Sequence, residues 1–328
     1  MKAAWFDRIG PAREVLQIGS LETPRPAAGE VLVRVRASGI NPSDVKTRSG
    51  WMNVHRVSGR VIPHIDGAGV IEAVGEGVDG ARVGERVWLH CSPINGIQGT
   101  AAEYIALPSR AARRLPDPTG FDEGACLGVP GLTAHHAVLV DGPIRDQQIL
   151  VAGGAGAVAQ YAIQIAKQEG ASIIATVSSD EKASIALACG ADAVVDYRRE
   201  DAASRILEWT GGKGVSRIVE VDFGANVALD ARVIAPNGII ASYSSSSVRE
   251  PVFPYYPLAV KGVVLRIIQA HIIPGEERNE RLDDLGRRLH AGHLRNHVGR
   301  RFALDDIAAA HEAVESGRTI GKVVLDVR

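Results

Sequence analysis

The stretch Gln148-Ile149-Leu150-Val151-Ala152-Gly153-Gly154-Ala155-Gly156-Ala157-Val158-Ala159 decides how the chain is read. Its opening residues are a buried-strand signal. Its end opens a helical pattern in which Val158, Ala162, Ile165 and Ala166 share one face. Between them the glycines, read as G-x-x-G-x-x-A, make a turn tight enough for the backbone to approach a pyrophosphate at a helix N-terminus. Glycine-rich turns also join strands to helices for structural reasons alone. The order of the parts distinguishes this one, because strand, turn, helix and second strand follow in sequence. Gly170 is placed to end the helix, Ser172 to Val177 form the next strand, and Ser179 caps a helix that stops at Gly190. Three more strand candidates, Ala193 to Val195, Arg217 to Val221 and Gly238 to Ser242, are separated by helical spacers. This alternation predicts βαβ units and a doubly wound parallel sheet.

The nucleotide can be narrowed from the second strand. Sites for NAD place an Asp or Glu at its tip, about 20 residues after the glycines, to hold the ribose hydroxyls. Here the strand ends Thr176-Val177-Ser178-Ser179, Lys182 follows in the first helical turn, and Tyr197-Arg198-Arg199 follow the third strand. Hydroxyls with a cation accept a 2′-phosphate that a carboxylate would repel, so NADPH is expected. Asp180 could be the missing acid, although a carboxylate in a helix's first turn is also favourable charge. The residues expected to bind the cofactor here are Gly153, Gly154, Ala155, Gly156, Ala157, Val158, Ser178, Ser179, Lys182 and Tyr197. Ser242, Tyr243 and Ser244 join them because they follow the fifth strand. The aromatic-proline run Phe253-Pro254-Tyr255-Tyr256-Pro257 either walls a substrate cleft or packs on a neighbouring subunit.

On either side of this region the pattern changes. Val31, Val33 and Val35 alternate with Leu32, Arg34 and Arg36, and further short apolar runs (Gly69 to Val74, Arg86 to Leu89, Glu103 to Leu107) are separated by glycines. Such a sequence predicts a small β-barrel or sandwich. The last 60 or so residues carry one amphipathic helix, Asp306 to Ser316, and a segment that short is marginal as an independent domain. The expectation is one domain inserted in another: residues 1–122 and 266–328 form a β-rich domain, residues 123–265 the nucleotide-binding domain, with a cleft between them.

Composition excludes several function classes. The 328 residues carry 37 Lys+Arg against 38 Asp+Glu, a net charge of -1, without the basic excess of a nucleic-acid binder or a polybasic membrane-surface protein. At 45% hydrophobic and 23% charged the chain reads as an ordinary folded protein. No run reaches the roughly 20 apolar residues of a membrane helix. Asp7 and Arg8 interrupt the start where a signal peptide needs an apolar run. Cys91, Cys126 and Cys189 form no C-x-x-C pair and read as reduced thiols. A cytoplasmic protein is expected.

Several segments together resemble the zinc-independent quinone oxidoreductase (zeta-crystallin-like) branch of the medium-chain dehydrogenase/reductase superfamily. They are Ser38-Gly39-Ile40-Asn41-Pro42-Ser43-Asp44, Asp66-Gly67-Ala68-Gly69-Val70-Ile71-Glu72-Ala73-Val74-Gly75, Gly84-Glu85-Arg86-Val87, Ala102-Glu103-Tyr104, Pro130-Gly131-Leu132-Thr133-Ala134 and Ile320-Gly321-Lys322. The resemblance implies a GroES-like catalytic domain around a Rossmann domain. It also implies a homodimer, joined through the last Rossmann strand near Lys261 to Ile268. It places Asn41 at the nicotinamide end, with Thr133 beside it.

Zinc-dependent relatives carry a Cys where this chain has Asn41 and a His-Glu pair where it has Ile65-Asp66, so no metal is expected. His290, His293 and His297 have a ligand-like spacing that Gly292 interrupts, and His135 and His136 are adjacent, so neither set suggests a metal site. The resemblance implies that hydride passes from NADPH to a quinone or another α,β-unsaturated carbonyl compound. The enolate formed from an enone needs a proton. Asn41, Asp44 and Lys46 are the candidate catalytic residues. Many relatives have a Tyr at the place of Lys46, and a second aromatic place falls around Trp51-Met52. Lys46 could be an acid, an anchor for an anionic substrate or a solvated lysine. Two rival readings stay open: an enoyl-thioester reductase, with Arg48, Arg56 and Arg60 meeting a coenzyme phosphate, and a non-catalytic NADPH-binding protein.

Overall fold

The computed structural model describes residues 1–51, 59–91 and 98–327. Met52 and Arg56 lie outside the described residues. The strands are, in chain order, β1 (Lys2–Trp5), β2 (Gln17–Ser20), β3 (Glu30–Ile40), β4 (Asp66–Val74), β5 (Arg86–His90), β6 (Tyr104–Pro108) and β7 (Ala112–Arg114). They continue with β8 (Gln148–Val151), β9 (Ser172–Val177), β10 (Ala193–Asp196), β11 (Val215–Glu220), β12 (Ile234–Ser242) and β13 (Val264–Ile267). The chain closes with β14 (Val298–Ala303) and β15 (Lys322–Asp326).

Two compact units result. One is Met1–Pro130 with Leu282–Gly292 and Asn296–Arg328; the other is Gly131–Arg281 with His293–Arg295. The divisions fall at Pro130 and Leu282, rather than after residues 122 and 265. Asp122 pairs with Arg301, which keeps the helix Phe121–Gly124 with the first unit. Arg281 pairs with Glu277 and approaches His135 Nδ1 at 3.4 Å, which keeps residues up to 281 with the second.

In the first unit a seven-stranded sheet runs β14-β15-β3-β4-β5-β7, with β6 also on β3; every pairing is antiparallel except β14 with β15. The expected alternation along β3 holds: Val31, Val33 and Val35 are buried, packed with Val87, Leu89, Ile105 and Leu325. The C-terminal segment supplies β15 to this sheet and the helix Ile307–Glu315, whose Ile307 and Ala310 join the same core. Register then sets the site. Val323 lies opposite Ile40 and Gly39 opposite Asp66, so positions 322, 41 and 66 meet at one end of three adjacent strands.

The second unit is a six-stranded parallel sheet in the order β10-β9-β8-β11-β12-β13. The chain moves outward from β8 through β9 to β10, then starts again on the other flank at β11. The order therefore reverses between β8 and β11, and ligands of such sheets bind outside the carboxyl ends of the strands at that point. The helix Ala157–Gln168 differs from its expected one-sided pattern, being buried continuously from Ala159 to Ala166. Glu169 is its C-cap, and Gly170 follows with φ +85°, the left-handed conformation that ends helices. No helix among the described residues is long and apolar enough to cross a membrane.

Candidate active site

The second unit gathers the glycine turn and the tip of β9 through one residue. Thr176 accepts the Gly153 N–H on its Oγ1 and the Gly154 N–H on its carbonyl oxygen, both at 2.9 Å. Gly153 has φ +65°, and a Cβ at Gly154 would sit 2.8 Å from the Ala175 Cβ and 3.0 Å from the Ala186 Cβ, so neither position accommodates a side chain. Gly156 is the N-cap of the following helix and has no side chain with which to cap it. The first-turn N–H groups at Ala157 and Val158 therefore have no side-chain cap, as an anion site requires.

The residues at the β9 tip follow from local capping. Ser179 Oγ accepts the Lys182 N–H at 3.3 Å and starts the helix Asp180–Ala188. One turn on, the Lys182 ammonium returns to donate to Ser178 Oγ at 2.9 Å. Asp180, the alternative ribose acid, is exposed and paired with Arg199 at 2.9 Å. Tyr197 follows β10, half-exposed, its N–H donated to Val177 O at 3.2 Å. After β12, Ser242 Oγ donates to Ser244 O at 3.3 Å and the Tyr243 N–H to Glu220 O at 3.1 Å. Thr133 is buried on the helix Gly128–Leu139. Downstream, Tyr255 and Tyr256 open the helix Tyr255–Ala259, stack edge to face, and are both exposed.

The first unit holds a second cluster, built on the register described above. Asn41 is the N-cap of the helix Pro42–Ser49, and its N–H donates to Asp44 Oδ2 at 2.7 Å. Its side chain is spent elsewhere. Nδ2 donates to Asp66 Oδ2 at 2.8 Å, and Oδ1 accepts from the Lys322 ammonium. Lys322 also donates to Asp66 Oδ2 at 2.7 Å. Asp66 Oδ1 accepts the Val129 N–H at 2.8 Å, and His90 Nδ1 lies 3.6 Å from it. Gly128 allows this approach, since a Cβ there would fall on Asp66 Oδ1. Asn41, Asp66 and Lys322 are 0–3% exposed. Burial alone would raise the Asp66 carboxyl, but Lys322 and His90 outweigh it and hold the group at about 2. Asp44 has no such cation of its own, and burial pushes it up to about 7 against the pull of the Asn41 N–H.

Behind Asp66 runs a chain whose proton positions can be deduced. Thr100 Oγ1 donates to the Asp66 carbonyl at 2.6 Å, and a carbonyl can only accept. Thr100 has then used its proton, so Ser38 Oγ, 2.7 Å away, donates to it. Ser38 in turn must accept from His64 Nδ1 at 2.8 Å, which leaves His64 Nε2 to accept from His311 Nε2 at 2.9 Å. Both imidazoles are neutral: burial, with each one's cationic surroundings, drives His64 far down and His311 to about 3. His64 has φ +78°, a left-handed backbone that few side chains adopt.

Of the three catalytic candidates, Asn41 and Asp44 meet in this cluster. Lys46 instead holds its ammonium 4.4 Å from the centre of the Trp51 ring. Arg48 corrects an expectation: it is fully buried, giving its guanidinium to Gly10 O and Glu315, and is closed off from a coenzyme phosphate in solvent. Arg60 packs over the Trp5 ring at 4.9 Å. Sequence reasoning missed the roles of Asp66, His90, His64, His311 and Lys322. Asp66 and Lys322 lie 256 positions apart, and no local spacing joins them.

Known proteins match the chain in sequence and fold. Residues 27–117 match the family described as "Alcohol dehydrogenase GroES-like domain" and residues 189–325 the family described as "Zinc-binding dehydrogenase". The quinone oxidoreductase of Pseudomonas aeruginosa is 31% identical over 316 residues, covering 95% of each chain. Among solved structures, an NAD-dependent alcohol dehydrogenase superimposes with TM-score 0.89 at 29% identity, over the whole of both chains. The Escherichia coli quinone oxidoreductase complexed with NADPH superimposes with TM-score 0.86 at 28% identity, covering 99% of this chain and 100% of that one.

The residues present do not fit the zinc that the second family description implies. Ile65 has no donor atom, and Asn41 and Asp66 already share an ammonium, so a divalent cation there would be set against the fixed positive charge of Lys322. The chain therefore belongs to the zinc-independent quinone oxidoreductase branch of the medium-chain dehydrogenase/reductase superfamily and is an oxidoreductase.

Proposed function

We propose that the protein is an NADPH-dependent reductase of quinones or other α,β-unsaturated carbonyl compounds. The observation that carries the reading is the β9 tip, where Ser178, Ser179 and Lys182 stand together with no acid among them, beside a turn that only glycines can make. Bound NADPH supplies the hydride. The chain's own groups bind and orient. The turn at Gly153, Gly154 and Ala155 and the amides at Gly156, Ala157 and Val158 take the pyrophosphate. Ser178, Ser179 and Lys182 take the 2′-phosphate, and Tyr197 the adenine side. Ser242, Tyr243, Ser244 and Thr133 line the path toward the nicotinamide. The NADPH complex of the Escherichia coli relative supports NADPH as the cofactor.

At the reacting end the reading gives Asn41 the nicotinamide or the substrate carbonyl to hold. Asp44, raised to about 7 by burial and next in the same hydrogen-bonded group, still carries a proton near neutral pH and suits protonation of an enolate. The position of the Lys46 ammonium over Trp51 favours anchoring of that segment over acid catalysis. A homodimer is supported by β13, the outer strand of the parallel sheet. Ile267 there is 80% exposed, and Val260 and Ile272 on either side nearly as much, a row that would be an aggregation hazard if left uncovered. Three cysteines without a disulfide support the cytoplasm as compartment. The enoyl-thioester reading loses Arg48 to its burial and is the weaker one.

The test is oxidation of NADPH and NADH by the purified protein with one ortho-quinone and a series of enones. Preference for NADPH with quinone turnover is expected. Tight NADPH binding with no turnover on any acceptor would leave a binding protein, and preference for NADH would overturn the assignment of Ser178 and Lys182.

A further inference from the structure

Lys322 and Asp66 form a deeply buried ion pair, and an ion pair out of water is not a stabilising device in itself. Their placement suggests another use. A side-chain amide normally leaves its orientation open, since its oxygen and nitrogen are nearly the same shape. At Asn41 the flip is fixed twice over: the oxygen takes the Lys322 ammonium and the nitrogen gives to Asp66. Turning the amide round would set its NH₂ against an ammonium and its oxygen against a carboxylate. We propose that Lys322 and Asp66 are positioning residues for the reduction, clamping the Asn41 carboxamide in one orientation and polarising it so that its second N–H is presented as a preoriented donor. The proposal rests on the reading that Asn41 faces the reacting end.

The clamp has its own supports. Asp66 Oδ1 is held by the Val129 N–H, and the Asp66 carbonyl by Thr100 at the end of the His311–His64–Ser38 chain. The Lys322 backbone is set by β15 beside Asn41. An ammonium on the oxygen of an amide draws electron density from its nitrogen, and in a low-dielectric core such polarisation makes the remaining N–H the stronger donor. Preorganised donors of this kind act on the transition state more than on ground-state binding.

The experiment compares Asn41→Ala, Lys322→Met, Lys322→Arg and the double variant Lys322→Met/Asp66→Asn. Lys322→Met alone leaves a buried carboxylate unpaired and is the variant at risk of not folding; the double variant is neutral and close to isosteric. Each is measured for melting temperature, NADPH dissociation constant by fluorescence, and kcat and KM with NADPH and an ortho-quinone. In the double variant the expected result is a melting temperature and NADPH affinity near wild type, with kcat lower by about 10- to 100-fold, as for a lost preoriented donor. Lys322→Arg, which keeps the charge but not its exact place, is expected to recover part of that loss. A double variant with wild-type kcat overturns the proposal, as does a loss of turnover matched by an equal loss of NADPH affinity. A wild-type rate in Asn41→Ala removes the reading of Asn41 instead, and the clamp with it. Loss of rate in Asn41→Ala but not in the double variant overturns the clamp alone.

Discussion

Replacing Lys182 with alanine isolates one group in the choice of nucleotide. The Lys182 ammonium is half-buried and donates to Ser178 Oγ at 2.9 Å, keeping two further donors for a phosphate placed at the β9 tip. Two unit charges 4 Å apart interact by about 1 kcal/mol in bulk water and about 4 kcal/mol at the effective dielectric of a protein surface. Hydrogen bonds to charged groups contribute about 1.5–3 kcal/mol. A value near 2 kcal/mol satisfies both and corresponds to about a 30-fold loss of NADPH affinity. NADH has no 2′-phosphate and should be almost unaffected. The helix start survives the substitution, because Ser179 Oγ is capped by the backbone N–H of residue 182 and alanine is a good helix former. The assay is kcat/KM for each nucleotide with one quinone, supported by equilibrium binding at low and high salt. The ratio of NADPH to NADH should fall by about 30-fold and the salt dependence of NADPH binding should weaken. A ratio that stays put, or equal losses on both nucleotides, would refute the reasoning and assign Lys182 to the surface of its helix.

Three further outcomes are expected. Gly154→Val should lose NADPH binding and cost about 1–3 kcal/mol of stability in a denaturant titration, since the Ala175 and Ala186 methyl groups leave its Cβ no room; normal binding would mean that the turn is not the pyrophosphate site. Asp44 and Glu220 are both raised to about 7, chiefly by burial, so the native state holds protons that the unfolded chain has released above its ordinary carboxyl range. Stability should therefore fall as pH rises from about 4 to about 7, and the fall should be shallower in Asp44→Asn and in Glu220→Gln; slopes identical to wild type would count against the buried protons. Ile267→Lys, on the exposed edge of β13, should convert a dimer to monomers by sedimentation, with the melting temperature of the monomer unit little changed; an unaltered dimer would place the interface elsewhere.

The parts of the molecule readable from the sequence are those in which neighbours along the chain are also neighbours in space. The glycine turn, the capping by Ser179 and the alternation of Val31, Val33 and Val35 each depend on contacts within a few residues, and each is found where the periodicity places it. Element ends moved: β11 begins at Val215, two residues before its expected start, and β12 at Ile234, four before, because pairing with neighbouring strands extends beyond the apolar run that marks them. The Asn41 cluster was only partly visible. Asn41 and Asp44 share a turn, but the groups that fix their chemistry come from β4, β15 and the residues after Leu127, brought together by sheet register. Arg48 shows the opposite failure: among basic neighbours it reads as a partner for a coenzyme phosphate, and only tertiary packing reveals that its partner is Glu315.

The direction of the His311–His64–Ser38–Thr100 chain bears on what the cluster can do. A row of two imidazoles and two hydroxyls in a dry core looks like a route for protons. Its end at the Asp66 carbonyl makes that use impossible in this arrangement, because the last acceptor cannot pass a proton on. Every hydrogen in the row is committed in one direction, and His311 Nδ1 is left as a bare, buried nitrogen. Such a row fixes positions. It ties the helix Ile307–Glu315 to the loop before β4, to β3 and to the backbone of Asp66. The left-handed backbone at His64 is the kind of local strain that persists only where surrounding contacts over-determine it. Protonation and positioning are thereby separated in the first unit: burial raises the Asp44 carboxyl to about 7, while Asp66, charged and held at each of its oxygens, keeps no proton.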